Sequence, residues 1–147
     1  MEKTLSTAQI YLRLALGISF ILPVLDRLGY IGAPGTAGVA WGNWDNFVNY
    51  TSTLMPYLSK SIANICGLTA TILEFASGCM LIAGCKTRIA AYGSFVLLLV
   101  FALSMFFFSG YRDPFTYSVF TGSAGALLLS AVPDYKWSLD TILNNKS

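Results

Sequence analysis

Four long apolar stretches, separated by short polar segments, make up most of the sequence. They cover about residues 8–29, 61–85, 89–111 and 115–133, and the third contains no charged residue. Each is long enough to cross the hydrocarbon core of a bilayer as a helix, the fourth only just. The pattern therefore predicts an all-α fold, a four-helix transmembrane bundle that forms a single domain over residues 1–147.

The first stretch also has a second interpretation. Residues 14–25 have the length of a signal-peptide core, and residues 38–40 resemble a cleavage site. Arg13 directly precedes that core, however, and the cleavage site lies too far beyond its end. These features favour a retained membrane helix whose charged residues, near its two ends, reach the membrane surface.

The segment of residues 30–60 is the one sizeable stretch predicted outside the membrane. Glycines make its first half flexible, whereas residues 43–58 place apolar side chains among polar ones. That second half is typical of a short helix that lies on the membrane or caps the bundle. The loop either rests on the membrane or forms a lid or a docking surface, for which Trp41, Trp44 and Phe47 are the candidate residues.

Composition and charge narrow the class of protein. Of the 147 residues, 55% are apolar and only 11% are charged, whereas a soluble domain carries about a quarter charged residues. The net charge of +2 is too small to indicate nucleic-acid binding. The chain has no histidine, the commonest metal ligand, and its three cysteines match neither a redox pair nor a zinc site. We therefore expect a lipid bilayer as the partner, no resident metal or other cofactor, and no nucleic acid.

The distribution of lysine and arginine predicts an orientation. With four spans, both termini and the turn between the second and third spans share one side, which carries Lys3, Lys86, Arg88, Lys136 and Lys146. The opposite side carries Arg27, Lys60 and Arg112. Because positive charge favours the cytoplasmic side, both termini should be cytoplasmic and the loop of residues 30–60 outside. The expected location is a bacterial cytoplasmic (inner) membrane.

A single acidic residue, Glu74, lies near the middle of the second stretch. A carboxylate at that depth is costly, so it normally faces the inside of a bundle, has a partner and marks function. Small residues recur beside it at three- and four-residue steps, which predicts that this face packs against neighbouring helices. They are Gly67, Ala70, Thr71, Ser77 and Gly78.

Arg13 is the predicted counter-ion of Glu74. Helix geometry places it roughly 7–8 Å nearer the cytoplasm, a gap that two long side chains can close. Asp26 and Arg27 are interpreted either as interface anchors or as part of an outer polar site. The hydroxyl residues of the fourth span that come close to the depth of Glu74, and could hydrogen-bond it, are Thr121 and Ser123. The alternative for Arg13 and Glu74 is an ion pair that specifies the fold without chemistry.

Three stretches of the sequence resemble the DoxX family of membrane proteins, and the resemblance as a whole covers nearly the entire chain. The first is LRLALGISFILPVLDRLG, the second is LEFASGCMLIAGCKTRIAA with its mid-helix glutamate, and the third is the ending DYKWSLDTIL. The resemblance implies a four-helix integral membrane protein, and some relatives are linked to quinone-coupled sulfur oxidation or to membrane thiol systems. The positions that match the family are Arg13, Asp26, Arg27, Glu74 and Arg88.

Three functions follow as hypotheses. In the first, the chain is a subunit of a quinone- or thiol-linked membrane oxidoreductase, in which Glu74 and Arg13 bind a quinone head group and the third span accommodates its tail. Electron transfer would then need a bound quinone or a partner subunit. In the second, it is a non-catalytic partner or assembly protein whose outer loop docks onto another protein on the outer face of the membrane. The chain itself could also form a homo-oligomer. In the third, it is a small-solute transporter with Glu74 as the coupling group.

Overall fold

The computed structural model describes residues 2–144, so Lys146 of the orientation prediction lies outside the described residues. Seven α-helices follow one another in these residues, and no strand is formed there. They are α1 (Glu2–Arg27), α2 (Trp44–Leu54), α3 (Lys60–Ala83), α4 (Thr87–Ser104), α5 (Asp113–Thr116), α6 (Val119–Ser130) and α7 (Leu139–Asn144). A turn of π-helix, Met105–Ser109, continues α4. The predicted all-α fold class is confirmed.

Among the described residues, three helices are long and apolar enough to cross a membrane: Lys3–Arg27, Lys60–Ala83 and Thr87–Ser109. They match the first three predicted spans. Their outward side chains are large and apolar, with Ile65 at 62% exposure and Phe107 at 69%. Such continuous apolar surface is costly in water and natural in lipid. The chain therefore has the structure expected of an integral membrane protein.

The prediction of one continuous fourth helix over residues 115–133 is wrong. Two helices replace it, α5 and α6, and the break between them falls at Ser118, whose φ of 55° is left-handed. The 12 residues of α6 extend about 18 Å, which is less than the roughly 30 Å of a hydrocarbon core. This stretch contains an apolar helix that by itself is too short for a full span.

The long helices pack in two pairs, α1 against α3 and α4 against α6, and the pairs meet through α3 with α4 and α1 with α6. In the α1–α3 pair the backbones approach closely at two glycines. A Cβ on Gly17 would lie 3.0 Å from the Gly78 carbonyl oxygen, and a Cβ on Gly78 would lie 3.0 Å from that of Gly17. Small residues at such crossings let membrane helices pack tightly. This contact fixes the height of α1 relative to α3.

The two ends of the bundle differ. The terminal end contains the start of α1, the α3–α4 turn and the segment after α6. Gln9 Nε2 donates to the Lys136 carbonyl, and the Asp140 N–H donates to the Gly84 carbonyl. The loop end contains residues 28–59 and α5. Between the helices the hydrophobic core is formed by Leu16, Phe20, Leu81, Ala90, Ala91, Ala126, Leu129, Val132 and Tyr135.

At the loop end, α2 confirms the short helix predicted within residues 43–58. Asn43 caps it, because its side-chain oxygen accepts from the Asn46 N–H. Phe47 packs over Gly67 of α3, and the Trp44 indole N–H donates to the Asn64 side chain at 2.8 Å. Of the two predicted arrangements, the structure therefore has the helix that packs onto the bundle.

Candidate functional site

The most distinctive polar feature is an ion pair between α1 and α3. Arg27 Nη1 lies 2.6 Å from Glu74 Oε2, and the two side chains are only 3% and 7% exposed. Arg27 also donates to the Thr71 hydroxyl at 2.8 Å and to the Pro23 carbonyl at 3.0 Å. The Thr71 hydroxyl in turn donates to the Gly67 carbonyl. The sequence prediction that Glu74 faces the inside of the bundle and has a charged partner is confirmed.

Two aromatic rings from the loop end cover this pair. The guanidinium carbon of Arg27 lies 4.1 Å from the Phe47 ring centroid and 5.3 Å from that of Trp41. The Trp41 and Phe47 rings meet edge to face at 5.3 Å. Cation–π contacts of a desolvated guanidinium are worth about 2 kcal/mol. The rings therefore stabilise the charge of Arg27 while they exclude water from it.

Asp26, next to Arg27 in the chain, has a different role. Its carboxylate accepts hydrogen bonds from three consecutive backbone N–H groups of the outer loop. They come from Ala40 at 2.8 Å, Trp41 at 3.2 Å and Gly42 at 3.0 Å. Asp26 is 5% exposed. These bonds fold the loop back over the end of α1 and place Trp41 above Arg27.

The predicted pairing of Glu74 with Arg13 is wrong. Arg13 lies at the terminal end, where its guanidinium donates to backbone carbonyls of α3 and of the C-terminal segment; they belong to Leu81, Ile82, Lys136 and Trp137. The last carbonyls of a helix have no partner within it and carry partial negative charge, so a cation is favoured there. Arg13 therefore joins chain segments, and Arg27, 14 residues further along the same face, holds Glu74.

Asp140 completes the closure of the terminal end. Its carboxylate accepts from the backbone N–H groups of Lys86 at 2.7 Å and Thr87 at 2.8 Å, at the start of α4. Burial raises the pKa of Asp140, but the hydrogen bonds from Thr87 and Lys86 outweigh it and lower that pKa below its ordinary value. The charged form is thus favoured in the folded protein.

The remaining candidate residues do not reach the ion pair. Arg88 donates to the Val132 and Pro133 carbonyls at the terminal end. The Ser123 hydroxyl donates to the Phe95 carbonyl, which corrects its predicted hydrogen bond with Glu74, and Thr121 is exposed. The structure thus brings together Asp26, Arg27 and Glu74.

The three aromatic candidates for docking point mainly into the protein. Phe47 is buried, and Trp41 and Trp44 are half-buried, because they pack around Arg27 and α3. Sequence reasoning missed their role as a cover for the ion pair. The sequence contains a signal for this role, because a glycine-rich loop and then an aromatic cluster follow Asp26 and Arg27.

The chemistry of the site is that of a buried acid held by a buried guanidinium. Glu74 Oε2 is in ionic contact with the Arg27 guanidinium. Within the described part of the chain, no three His, Cys, Asp or Glu side chains are grouped so as to hold a metal ion. The three cysteines are free thiols. A shallow groove of about 240 Å³ lies at the terminal end beside Trp137 and Ile142, away from the pair.

Within residues 2–144, fold and site together define an all-helical protein with membrane-length helices and an enclosed Arg–Glu pair. No protein-family model matches the chain, and no curated protein or solved structure matches it either. The resemblance to the DoxX family therefore stays a prediction from the sequence.

Proposed function

We propose that this protein is a DoxX-like membrane subunit of a quinone-linked redox system, and that Arg27 and Glu74 form the binding site for the quinone head group. The observation that carries the proposal is the enclosed pair beneath two aromatic rings. Ionisable residues at membrane depth are costly and normally serve function. A thiol-linked electron carrier is the variant of this proposal that the sequence resemblance also allows.

The two members of the pair complement the two redox states of a quinone. A quinone carbonyl oxygen accepts hydrogen bonds, which the Arg27 guanidinium can donate. A quinol hydroxyl donates hydrogen bonds, which the Glu74 carboxylate can accept. The rings of Trp41 and Phe47 offer surfaces on which a flat head group can pack. Reduction of the quinone would take two electrons, supplied by a partner subunit, and two protons.

The isoprenoid tail would lie along the outer end of α4. Phe106, Phe107 and Phe108 are all partly exposed there, on the π-helical turn at the loop end. An apolar tail in contact with these rings would remain in the hydrocarbon region of the membrane. The head group would then approach the pair from the loop end.

We further propose that the terminal end is cytoplasmic and that the protein resides in a bacterial cytoplasmic membrane. Lys3, Lys86 and Lys136 are exposed at the terminal end, whereas Lys60 and Arg112 lie at the loop end. The bias in positive charge supports this orientation. The short α6 would complete the bundle as a fourth, partial span.

Lipid extraction of the purified protein tests the proposal directly. We expect close to one quinone per chain in the unchanged protein, and a clear loss of quinone in Glu74→Gln and in Arg27→Gln. Asp45→Asn and Arg112→Gln are the matched controls, because these exposed residues change charge in the same way at the loop end. They should retain the quinone.

A protein that carries no quinone, together with membrane electron transfer that Glu74→Gln leaves intact, would exclude this function. The second candidate would then be a partner or assembly protein that docks at the loop end. Tyr30 and Tyr57 favour it, because they are 77% and 68% exposed there. Replacing both by Ser should then release a co-purifying protein while the bundle stays folded.

A further inference from the structure

The lid loop, which we define as residues 28–43, covers the Arg27–Glu74 pair. We propose that it is a hinged lid, that Asp26 is its latch, and that a head group reaches the pair from the loop end when the latch opens. The entry of a ligand rests on the function proposed above, whereas the lid and its latch rest on the geometry alone.

One side chain provides most of the hydrogen bonds that hold the end of the lid loop in place. Asp26 accepts all three hydrogen bonds from the backbone of residues 40–42. The Asn46 side-chain amide donates a further bond to the Trp41 carbonyl at 2.9 Å. Hydrogen bonds to a charged acceptor are roughly twice as strong as neutral ones. Loss of the Asp26 carboxylate should therefore release the end of the lid loop that carries Trp41.

The middle of the lid loop is held mostly by itself. Its Thr36 N–H donates to the Ala33 carbonyl, and its Val39 N–H donates to the Thr36 carbonyl. Side chains from Ala33 to Gly38 are exposed. This part of the loop can move as a unit, because its own hydrogen bonds need not break when it lifts.

Glycines at the two ends of the lid loop provide hinges. Gly29 has a φ of 80° and Gly42 a φ of 67°, a left-handed region in which glycine carries no steric cost. The two ends meet there, since a Cβ on Gly29 would lie 3.2 Å from the Gly42 carbonyl oxygen. Hinges of this kind absorb the backbone rotation that a lid requires.

Opening would uncover the pair on one side only. Trp41 belongs to the lid loop and would leave Arg27, whereas Phe47 belongs to α2, which is packed on α3, and would stay 4.1 Å from the guanidinium. The opened site would thus have one aromatic wall and a free face above Arg27. Asp26 is a positioning residue in this proposal, because it acts through Trp41.

Accessibility of a single thiol beneath the lid loop tests the proposal without any ligand. The reporter is Thr71→Cys, which replaces the buried hydroxyl that contacts Arg27. The background replaces Cys66, Cys79 and Cys85 by Ala. A membrane-impermeant maleimide is added from the loop side, and the labelling rate is measured. We expect slow labelling with Asp26 intact and a rate at least about tenfold higher in Asp26→Ala, because three charge-assisted hydrogen bonds are lost.

Two controls separate opening of the lid from general loosening. Asp45→Ala removes an exposed carboxylate of α2 and should leave the labelling rate of Thr71→Cys unchanged. A second reporter, Ser94→Cys, replaces a hydroxyl that is fully buried in α4. Its labelling should stay slow in Asp26→Ala. If Asp26→Ala does not fold, Trp41→Ala decides, because it removes the cover while the Asp26 carboxylate remains.

Equal labelling of Thr71→Cys with and without Asp26, or an equal rise at Ser94→Cys, would overturn the lid. These outcomes are distinct from failure of the quinone proposal. Faster labelling in Asp26→Ala in a protein that never carries quinone would support the lid and exclude that ligand. Bound quinone with unchanged labelling would support the ligand and exclude the lid.

Discussion

Replacement of Glu74 by Gln is the sharpest test of the ion pair. The change keeps the shape of the side chain and removes its charge, so that the Arg27 guanidinium stays buried without a counter-ion. Breaking a buried pair in this way costs about 3–5 kcal/mol in the free energy of unfolding. Arg27 would retain its hydrogen bonds to Thr71 and Pro23 and its contact with Phe47. We therefore expect a loss near the lower limit, about 3 kcal/mol.

A double-mutant cycle identifies the partner of Glu74. The variants are Arg27→Met, Glu74→Gln and their combination, and the assay is reversible unfolding in mixed micelles, followed by tryptophan fluorescence. We expect a coupling free energy of about 2 kcal/mol or more for Arg27 with Glu74, because contacting charged residues are not additive. A parallel cycle with Arg13→Met should give coupling within about 0.5 kcal/mol of zero. Arg13 contacts the Leu81 carbonyl, about 10 Å along α3 from Glu74.

An Arg27–Glu74 coupling free energy below about 0.5 kcal/mol, the usual scatter of additivity, would refute the pair. A larger coupling of Glu74 with Arg13 than with Arg27 would refute it as well. Either result would mean that the pair does not hold α1 and α3 together. The combined variant gives a further check, since its neutral side chains leave no unpaired charge and should recover part of the lost free energy of unfolding.

Three further predictions concern the bundle. Arg13→Gln should lower the free energy of unfolding by about 2–4 kcal/mol, because it removes a charged donor from several buried carbonyls; a loss below about 0.5 kcal/mol in the same micelle assay would contradict this. The lowered pKa of Asp140 stabilises the folded protein at pH values above 3.8, the ordinary pKa of this carboxyl group. This contribution disappears as the pH falls through the lower pKa that Asp140 has in the folded protein. Asp140→Asn should therefore be less stable than the unchanged protein at pH 6. In an acid titration of unfolding, the difference in stability between the two proteins should shrink below pH 3.8. A difference that stays constant with pH would refute the stabilising role of the Asp140 carboxylate. Gly78→Ala should lower the free energy of unfolding by about 1–3 kcal/mol, because the added Cβ would meet the backbone of α1. The control Gly93→Ala places its Cβ in open space and should be neutral or stabilising. Equal effects of the two substitutions would argue against the close α1–α3 contact.

The helices could be predicted from the sequence because their signals are local. Apolar runs of membrane length gave α1, α3 and α4, and the alternation of apolar and polar residues after residue 43 indicated α2. The small-residue stripe around Glu74 also predicted its inward direction, since residues at three- and four-residue steps share one face of a helix whatever surrounds it. The break at Ser118 escaped prediction, because an apolar composition does not distinguish one helix from two short ones.

The partner of Glu74 was decided by the tertiary structure. Arg13 and Arg27 lie on the same buried face of α1, so the pattern of the sequence assigns both to the bundle interior and cannot choose between them. The choice depends on the relative height of α1 and α3, which is set by the Gly17–Gly78 contact and by the packing of α2 on α3.

The amino-acid sequence alone predicted the three membrane-length helices, the short helix α2, the packed face of α3 and its interior acid, since each follows from a pattern within one segment. The packing of the helices and the loop established that Arg27 neutralises this acid, that Asp26 folds the lid loop, and that Trp41 and Phe47 close the site. These contacts join residues of separate elements. Their geometry depends on how far one helix slides along another, a quantity that no single segment encodes.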